Sequence, residues 1–485
     1  MNIDRPTPLN FVIPSIIENK ISNAWLTYLL KLRAAFTKIR IGCGFSDNFQ
    51  TMNFEEATKY LYSLGNETLA MKLGLESVRA LARALDDPQR KFPAVHIAGT
   101  NGKGSTAAMT GSVLRAAGLR AGLYTSPHLV SITERIRIDG DEIAPDEFAR
   151  LATDVRDAGE RLVSENVLPA PPTFFEQVTL IAYLYFAERK VDLAVLEVGL
   201  GGRLDATNIC EPVVTAITPV GFDHQKYLGD TLASIAAEKA GIVKPGAPVV
   251  IAPQHGEAMT AIVARCEELN APMIVTSDPF DVEAASGAED IGRYRFRYRA
   301  SRDEFALRLG LRGRHQITNA LVAIHIAEQL RIAGFDIPSD AIVEGLNKAE
   351  WPGRLEMIRP SPSQAPLLLD GAHNAAGARA LRDFLDEHFR STPITIIFGA
   401  MADKAIGEMG DILFPAANQV IVTRIASPRA AEPSAIAEAS HRDVIRIENA
   451  GEALTEALRI TPQRGLICVC GSLFLVGAVR QMLDE

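Results

Sequence analysis

The sequence predicts an α/β protein: a large unit with a mostly parallel sheet, then a smaller α/β unit at the C-terminal end. Three observations predict this. The apolar run Val95-His96-Ile97-Ala98 enters a loop with three glycines, Gly99, Gly102 and Gly104, and one lysine, Lys103; an alanine-rich helical pattern then continues to about residue 117. The apolar run 191–199 reads as a buried parallel strand that ends in a carboxylate, Glu197. Beyond residue 354, strand-like runs at 367–370, 394–399, 419–424, 444–447 and 466–470 alternate with helical or turn segments. Such alternation is what a parallel sheet requires, because a crossover must carry the chain back before the next strand.

Taken in order, residues 1–51 look detached. Pro6, Pro8 and Pro14 break the start, and an amphipathic pattern from about 21 to 39 carries Lys31, Arg33, Lys38 and Arg40. Met52 opens a cleaner start, so 1–51 are expected to be a dispensable extension. Helical spacing at 54–64 and 75–85 leads into the glycine loop. Ala121-Gly122-Leu123-Tyr124-Thr125-Ser126-Pro127-His128-Leu129 is a strand that stops at a polar turn. A charged segment, 134–146, precedes helical patterns at 145–163 and 176–189. After strand 191–199 comes a second glycine-rich loop, Leu200-Gly201-Gly202-Arg203-Leu204-Asp205-Ala206-Thr207-Asn208. A strand at 213–217 then runs toward Asp223-His224. A helix at 231–240 closes at Gly241, and strands follow at 248–252 and 273–275. Residues 293–311 alternate like a β-hairpin, and His315 opens a helix through 330. The boundary falls near Trp351-Pro352-Gly353-Arg354. The expected organisation is an extension (1–51), a central domain (52–350) and a C-terminal domain (351–485).

Composition narrows the function. The 485 residues suffice for two or three domains with sizeable cores. A net charge of −9 argues against a nucleic-acid partner, which needs a basic face. The five cysteines form no C-x-x-C pair, so a zinc site or a disulfide frame is not expected, and reduced thiols in a cytoplasm are. No run approaches the roughly 18–20 apolar residues of a membrane helix, and the N-terminus lacks a signal-peptide layout.

Strand, glycine-rich turn and helix in that order form a phosphate cradle, where backbone N–H groups and the helix N-terminus face the anion. Lys103 would reach the terminal phosphates of a nucleotide, and Ser105 or Thr106 could place a hydroxyl on Mg2+. Gly104 interrupts the common pattern G-x-x-x-x-G-K-[ST]. Ligands of open α/β sheets sit beyond the carboxyl ends of the strands, and Lys103, Ser126, Glu197 and His224 all fall at such ends. Ser105, Ser126 and Glu197 could hold one magnesium ion, and Glu197 with His224 a second. Plainer readings exist: Glu197 could cap a helix, His224 could be a satisfied loop histidine, and Lys239, between Glu238 and Ala240, is on its own a surface lysine.

The ordered motifs Gly99-Thr100-Asn101-Gly102-Lys103-Gly104-Ser105, Thr125-Ser126-Pro127-His128-Leu129, Gly201-Gly202-Arg203-Leu204-Asp205-Ala206-Thr207-Asn208, Asp223-His224, Glu238-Lys239-Ala240-Gly241 and Leu369-Asp370-Gly371-Ala372-His373-Asn374 closely resemble the folylpolyglutamate synthase/dihydrofolate synthase family, relatives of the Mur ligases. The resemblance runs from about Met52 to the C-terminus, and Gly104 becomes the family's own variant of the loop. It implies an ATP-binding central domain, a Rossmann-like C-terminal domain and a site in the cleft between them. By matching motif, Gly102, Lys103, Gly104 and Ser105 would cradle ATP; Asn319 would meet the adenine end; and Arg354 and Asp370 would approach ATP from the linker and second domain. Ser105, Ser126, Glu197 and His224 would hold two Mg2+ ions, with Lys239 as the lysine that the family carbamylates. Thr173, Phe174, Phe175, Glu176, Leu204, Asp205 and Ala206 match pterin-binding segments, with the Lys72-Leu73-Gly74 turn as a further contact. His373 would lie near the phosphates or the incoming glutamate. The implied reaction is ATP-dependent ligation of L-glutamate to dihydropteroate and to tetrahydrofolate and its polyglutamates through an acyl phosphate, in a monomer with no nucleic-acid or membrane partner. The alternatives are a Mur-type ligase acting on a cell-wall precursor, which would normally carry a further Rossmann-like domain before the phosphate loop, and a nucleotide switch without ligase chemistry.

Overall fold

The computed structural model describes residues 51–65, 74–301, 303–361, 363–440 and 442–484; all of these but Thr51 belong to the compact unit Met52–Glu485. The expectations for residues 1–50 and for Lys72-Leu73 lie outside the described residues.

Strands β1 (Ala94–Ala98), β2 (Ala121–Tyr124), β3 (Ile136–Ile138), β4 (Asp141–Glu142), β5 (Leu193–Glu197), β6 (Pro212–Ile217), β7 (Val249–Ile251) and β8 (Met273–Val275) form one sheet. Its order is β4-β3-β2-β5-β1-β6-β7-β8. From β2 to β8 every pairing is parallel; β3 and β4 add antiparallel partners at one edge. Every residue of β1 and β5 is buried, as expected of strands covered by helices on both faces. The charged segment 134–146, read only as polar, supplies the antiparallel edge. Short, charged strands suit that position because they discourage pairing with another chain.

Helices Phe54–Ser63, Glu76–Ala84, Pro145–Ser164 and Phe174–Arg189 cover one face of this sheet. Lys103–Ala116, His315–Ile332 and Ser339–Lys348 cover the other. A three-stranded antiparallel sheet joins that second core: β9 (Phe280–Ala284), β10 (Tyr294–Arg299) and β11 (Glu304–Arg308). In β10, Tyr294, Phe296 and Tyr298 are buried while Arg295, Arg297 and Arg299 are exposed, the alternation that marks a half-covered strand. The hairpin expected at 293–311 is thus two strands of a three-stranded sheet. The helices Gly256–Glu268 and Ser339–Lys348 were not anticipated.

Strands β12 (Glu356–Ile358), β13 (Leu367–Leu369), β14 (Ile394–Phe398), β15 (Gln419–Thr423), β16 (Ile445–Ile447) and β17 (Leu466–Cys470) form the C-terminal sheet, in the order β12-β13-β17-β14-β15-β16. All pairings are parallel except that of β12 with β13. The predicted class, α/β with mostly parallel sheets, is therefore the observed one.

The C-terminal helix Leu473–Asp484 meets the turn that follows β2. A Cβ on Gly477 would come 2.0 Å from the Leu129 carbonyl oxygen. Replacing Gly477 by Ala gains about 1 kcal/mol of helix propensity. It also drives a methyl into backbone that no rotamer change can relieve, an overpacking worth about 1–3 kcal/mol. The clash should win. Gly477→Ala is expected to lower the urea midpoint, and an unchanged or raised midpoint would show that the turn yields freely.

Candidate active site

The phosphate cradle forms where β1 gives way to helix Lys103–Ala116. Gly102 caps the helix at φ 89°, and a Cβ there would sit 2.2 Å from Asn319 Oδ1. At Gly99, φ is +147° and a Cβ would sit 1.9 Å from Thr218 Oγ1. Both positions therefore need glycine for conformation and for space. Gly104 has a different reason. A Cβ there would come 3.0 Å from Trp351 Nε1 and 3.4 Å from Glu197 Oε2, so the residue that interrupts the common motif leaves space for the Trp351 ring, while the carboxylate would be in ordinary contact. Lys103 Nζ rests on the Thr100 carbonyl at 3.2 Å. Ser105 Oγ accepts a hydrogen bond from Gln316 Nε2 at 3.2 Å, and Gln316 Oε1 accepts from Asn319 Nδ2 at 2.8 Å. Asn319, expected at the adenine end, thus lies against the phosphate loop.

Glu197, at the end of β5, is buried, and its Oε2 accepts from the Ser126 backbone N–H at 3.1 Å. Burial pushes its carboxyl up, opposed by the charge of Lys103, the Ser126 hydrogen bond and the charge of Arg354. Lys239 corrects its plain reading as a surface lysine: it is 4% exposed. Burial and the charge of Lys103 push its ammonium down to about 7. Position within a short helix could not reveal this, because the burying partners come from elsewhere in the chain. His224, held at φ 52° before helix Gln225–Leu228, is kept neutral by burial, with a pKa near about 4.

Asp223, which the Asp223-His224 motif includes without a role of its own, is a hub. Its Oδ1 lies 2.5 Å from Lys404 Nζ, and its Oδ2 lies 3.2 Å from Asn374 Nδ2 and 3.5 Å from His373 Nε2. Burial would raise its carboxyl, but the hydrogen bond from His373 and the charges of His373 and Lys404 hold it well below the usual carboxylate range. His373 Nδ1 lies 2.8 Å from the Gly371 carbonyl, which only accepts, so Nδ1 carries a proton. Asn374 Nδ2 also donates to Asn101 Oδ1 at 3.0 Å, tying the C-terminal sheet to the phosphate loop. Arg354 is pushed down by burial, against the charges of Asp370 and Glu197. Asp370 accepts from the backbone N–H groups of Leu355 and Ala372, and burial pushes its carboxyl up.

Two cavities meet here. One of about 370 Å3 is lined by the phosphate loop, Glu197, Lys239, Asn319, Arg354 and Asp370. The other, about 580 Å3, is lined by Thr173–Glu176, Leu204–Ala206, Lys404 and Arg429 among others. Ser126, Gly199–Gly201, His224 and His373 line both. In the larger cavity, Thr173 and Glu176 form the capping box of helix Phe174–Arg189. Glu176 Oε2 accepts from Thr173, whereas its buried Oε1 has no partner among the described residues. Phe174 stacks on Tyr62 at 5.5 Å, with the Arg135 guanidinium 5.4 Å from its ring. Phe175 covers Gly199, where a Cβ would meet its ring at 2.5 Å.

Lys103, Ser105, Ser126, Glu197, His224, Lys239, Arg354, Asp370 and His373 are thus gathered at one crevice. The sequence motifs give Asp223 no role beyond its own motif and do not include Lys404, although Lys404 follows β14, a strand end of the kind that draws ligands.

A magnesium ion fits this donor set. Ser105, Ser126 and Glu197 offer hard oxygens, and Glu197 is a buried carboxylate that lines the cavity of the phosphate loop. Among the described residues no three His, Cys, Asp or Glu side chains cluster as a metal cage. Magnesium needs no such cage, because phosphate oxygens and waters complete its shell.

The family model described as the Mur ligase middle domain matches residues 97–327, and that of the Mur ligase glutamate ligase domain matches 353–473. The chain is 35% identical over 439 residues to the dihydrofolate synthase/folylpolyglutamate synthase of Bacillus subtilis (strain 168), covering 89% of this chain and 99% of that protein. A Mycobacterium tuberculosis folylpolyglutamate synthase complexed with ADP superposes with TM-score 0.81 at 30% identity, covering 89% of this chain and 98% of that one. E. coli FolC in complex with DHPP and ADP superposes with TM-score 0.78 at 28% identity, again covering 89% and 98%.

Proposed function

The chain belongs to the dihydrofolate synthase/folylpolyglutamate synthase family, built from Mur ligase domains, and from this premise we propose that it joins L-glutamate to dihydropteroate and to tetrahydrofolate and its polyglutamates at the expense of ATP. The observation that carries the reading is the junction of the two cavities at Ser126, His224 and His373. A phosphate-binding cavity opens there into a larger one with aromatic and polar walls. The reported relatives do not favour a cell-wall precursor as substrate.

A carboxylate acylates poorly because its leaving group would be oxide. Transfer of the γ-phosphoryl group to the carboxylate of the folate-type acceptor gives an acyl phosphate and ADP; the amine of glutamate then attacks the acyl carbon and phosphate leaves. Lys103 and the helix N-terminus face the charge that spreads over the transferring group. Ser105, Ser126, Glu197 and His224 are the proposed ligands of two Mg2+ ions, which when bound neutralise phosphate charge. A carbamate on Lys239 would replace a buried cation beside Lys103 with an anionic oxygen donor, and a pKa of about 7 leaves much of that amine neutral and able to add CO2. Asn319 and Arg354 are proposed to hold the nucleotide, and Asp370 to fix the linker around Arg354.

In the larger cavity, Phe174, Phe175 and Leu204–Ala206 are proposed as the pterin wall. Lys404, paired with Asp223, and Arg429, paired with Asp403, are proposed to meet the carboxylates of glutamate. Residues 52–350 would bind nucleotide and 351–485 would close over it, excluding water that would hydrolyse the acyl phosphate. Among the described residues no helix is long and apolar enough to cross a membrane. The four described cysteines are free and buried, which fits a reducing, cytoplasmic setting, and a monomer is proposed.

The test is ADP release with dihydropteroate or tetrahydrofolate, each with and without L-glutamate. Release is expected to need the folate-type acceptor, with sustained turnover only when glutamate is added. Acceptor-independent release would overturn the reading.

A further inference from the structure

His96 is the polar residue most at odds with its surroundings. It lies in the middle of β1 and is fully buried. Its Nδ1 has no partner among the described residues. A leucine would fill such a strand position without leaving a polar atom unpaired. Burial, with the charge of Lys244, pushes the ring down to about 3, so it is neutral.

The other ring nitrogen, Nε2, lies 2.8 Å from Thr207 Oγ1. That hydroxyl lies 2.5 Å from Asp205 Oδ1, which also accepts from the Thr207 backbone N–H at 3.0 Å. Tyr183 anchors Thr207 by donating to its carbonyl at 2.9 Å. Asp205 Oδ2 accepts from the Leu200 backbone N–H at 2.9 Å, in the wall shared by the two cavities.

Burial pushes the Asp205 carboxyl up, and the hydrogen bonds from Thr207, Leu200 and Gly199 oppose that rise; for the ionised carboxylate that they favour, the contacts fix the hydrogen positions. A neutral imidazole has one N–H. Were it on Nδ1, Nε2 would draw the Thr207 hydrogen to itself. Thr207 Oγ1 and the Asp205 carboxylate would then face each other at 2.5 Å with no hydrogen between them, and a buried N–H would be orphaned. With the proton on Nε2, His96 donates to Thr207 Oγ1, and the hydroxyl donates to Asp205. Only an acceptor is then left unpaired, the milder defect.

We propose that His96 is a positioning residue for the pterin end of the acceptor: by committing the Thr207 hydroxyl hydrogen to Asp205, it presents a carboxylate that can only accept hydrogen bonds to the larger cavity. This rests on the reading of Leu204–Ala206 as a pterin wall. The matching ligand edge is one of N–H donors, as on a 2-amino-4-oxopyrimidine ring.

The experiment measures steady-state ADP release by His96→Leu, Thr207→Val and Thr207→Ser, with KM determined separately for dihydropteroate and ATP. His96→Leu and Thr207→Val should each raise the KM for dihydropteroate about tenfold, with the KM for ATP and the melting temperature near those of the wild type. The double variant should lose no more than either single one, because both break the same chain of bonds. Thr207→Ser, which keeps the hydroxyl, should restore the wild-type KM. A folded His96→Leu with wild-type KM for dihydropteroate, or an equal rise in both KM values, would overturn the proposal. If His96→Leu does not fold, the Thr207→Val and Thr207→Ser pair decides alone. A wild type inert toward dihydropteroate would sink the functional reading instead, a distinguishable result.

Discussion

Lys103→Ala is expected to yield a folded protein whose turnover falls by about 10^3-fold or more, the scale set by removing a preorganised charge from a phosphoryl-transfer site. The side chain is only partly buried and bonds to a single carbonyl, that of Thr100. Its removal therefore takes little from the fold. The loss at the site is large, because the charge of Lys103 acts on both Glu197 and Lys239 more strongly than that of any other side chain. Without it the Glu197 carboxyl should rise further, and the Lys239 ammonium should recover toward its ordinary value. ADP release with dihydropteroate and glutamate measures the effect, with thermal melting as the control for folding. Rates near wild type would contradict the assignment of the loop.

Glu197→Gln should act in two opposite directions. Turnover should drop by about 10^2–10^3-fold, the cost of losing a group that holds transition-state charge in place. The nucleotide-free protein should become more stable near neutral pH. In the wild type, burial raises the folded-state pKa of Glu197 above its unfolded value. Between those two values the native state binds more protons than the unfolded one, so stability falls as pH rises through the window. The amide has no such window and should keep its stability above it. Melting curves from acid to neutral pH check this: a variant that loses as much stability as the wild type over that range would show that Glu197 carries no penalty. Poorer turnover with better stability is the pattern expected where a buried charge is kept for chemistry rather than for the fold.

Much of the site was legible because it sits at strand ends. Lys103, Ser126, Glu197 and His224 follow four apolar runs, and a parallel sheet brings the carboxyl ends of its strands to one edge. Lys239 and Asp223 were not legible in the same way. The burial of Lys239 depends on packing far along the chain from its helix. The partners of Asp223, Lys404 and His373, lie in loops that follow strands of the C-terminal sheet. The antiparallel edge 136–142 was missed because its strands are too short for periodicity to register.

The α/β class, the strands of the two parallel sheets and the phosphate cradle could be read from the sequence, since each depends on neighbours along the chain: apolar period, glycines in a turn, a lysine at a helix start. Folding alone makes Lys239 a buried, easily deprotonated amine, brings the Trp351 ring against Gly104, and sets His96 beside Thr207 and Asp205. Those properties are set by desolvation and by ångström-scale contacts between residues distant in sequence, and no local pattern encodes them.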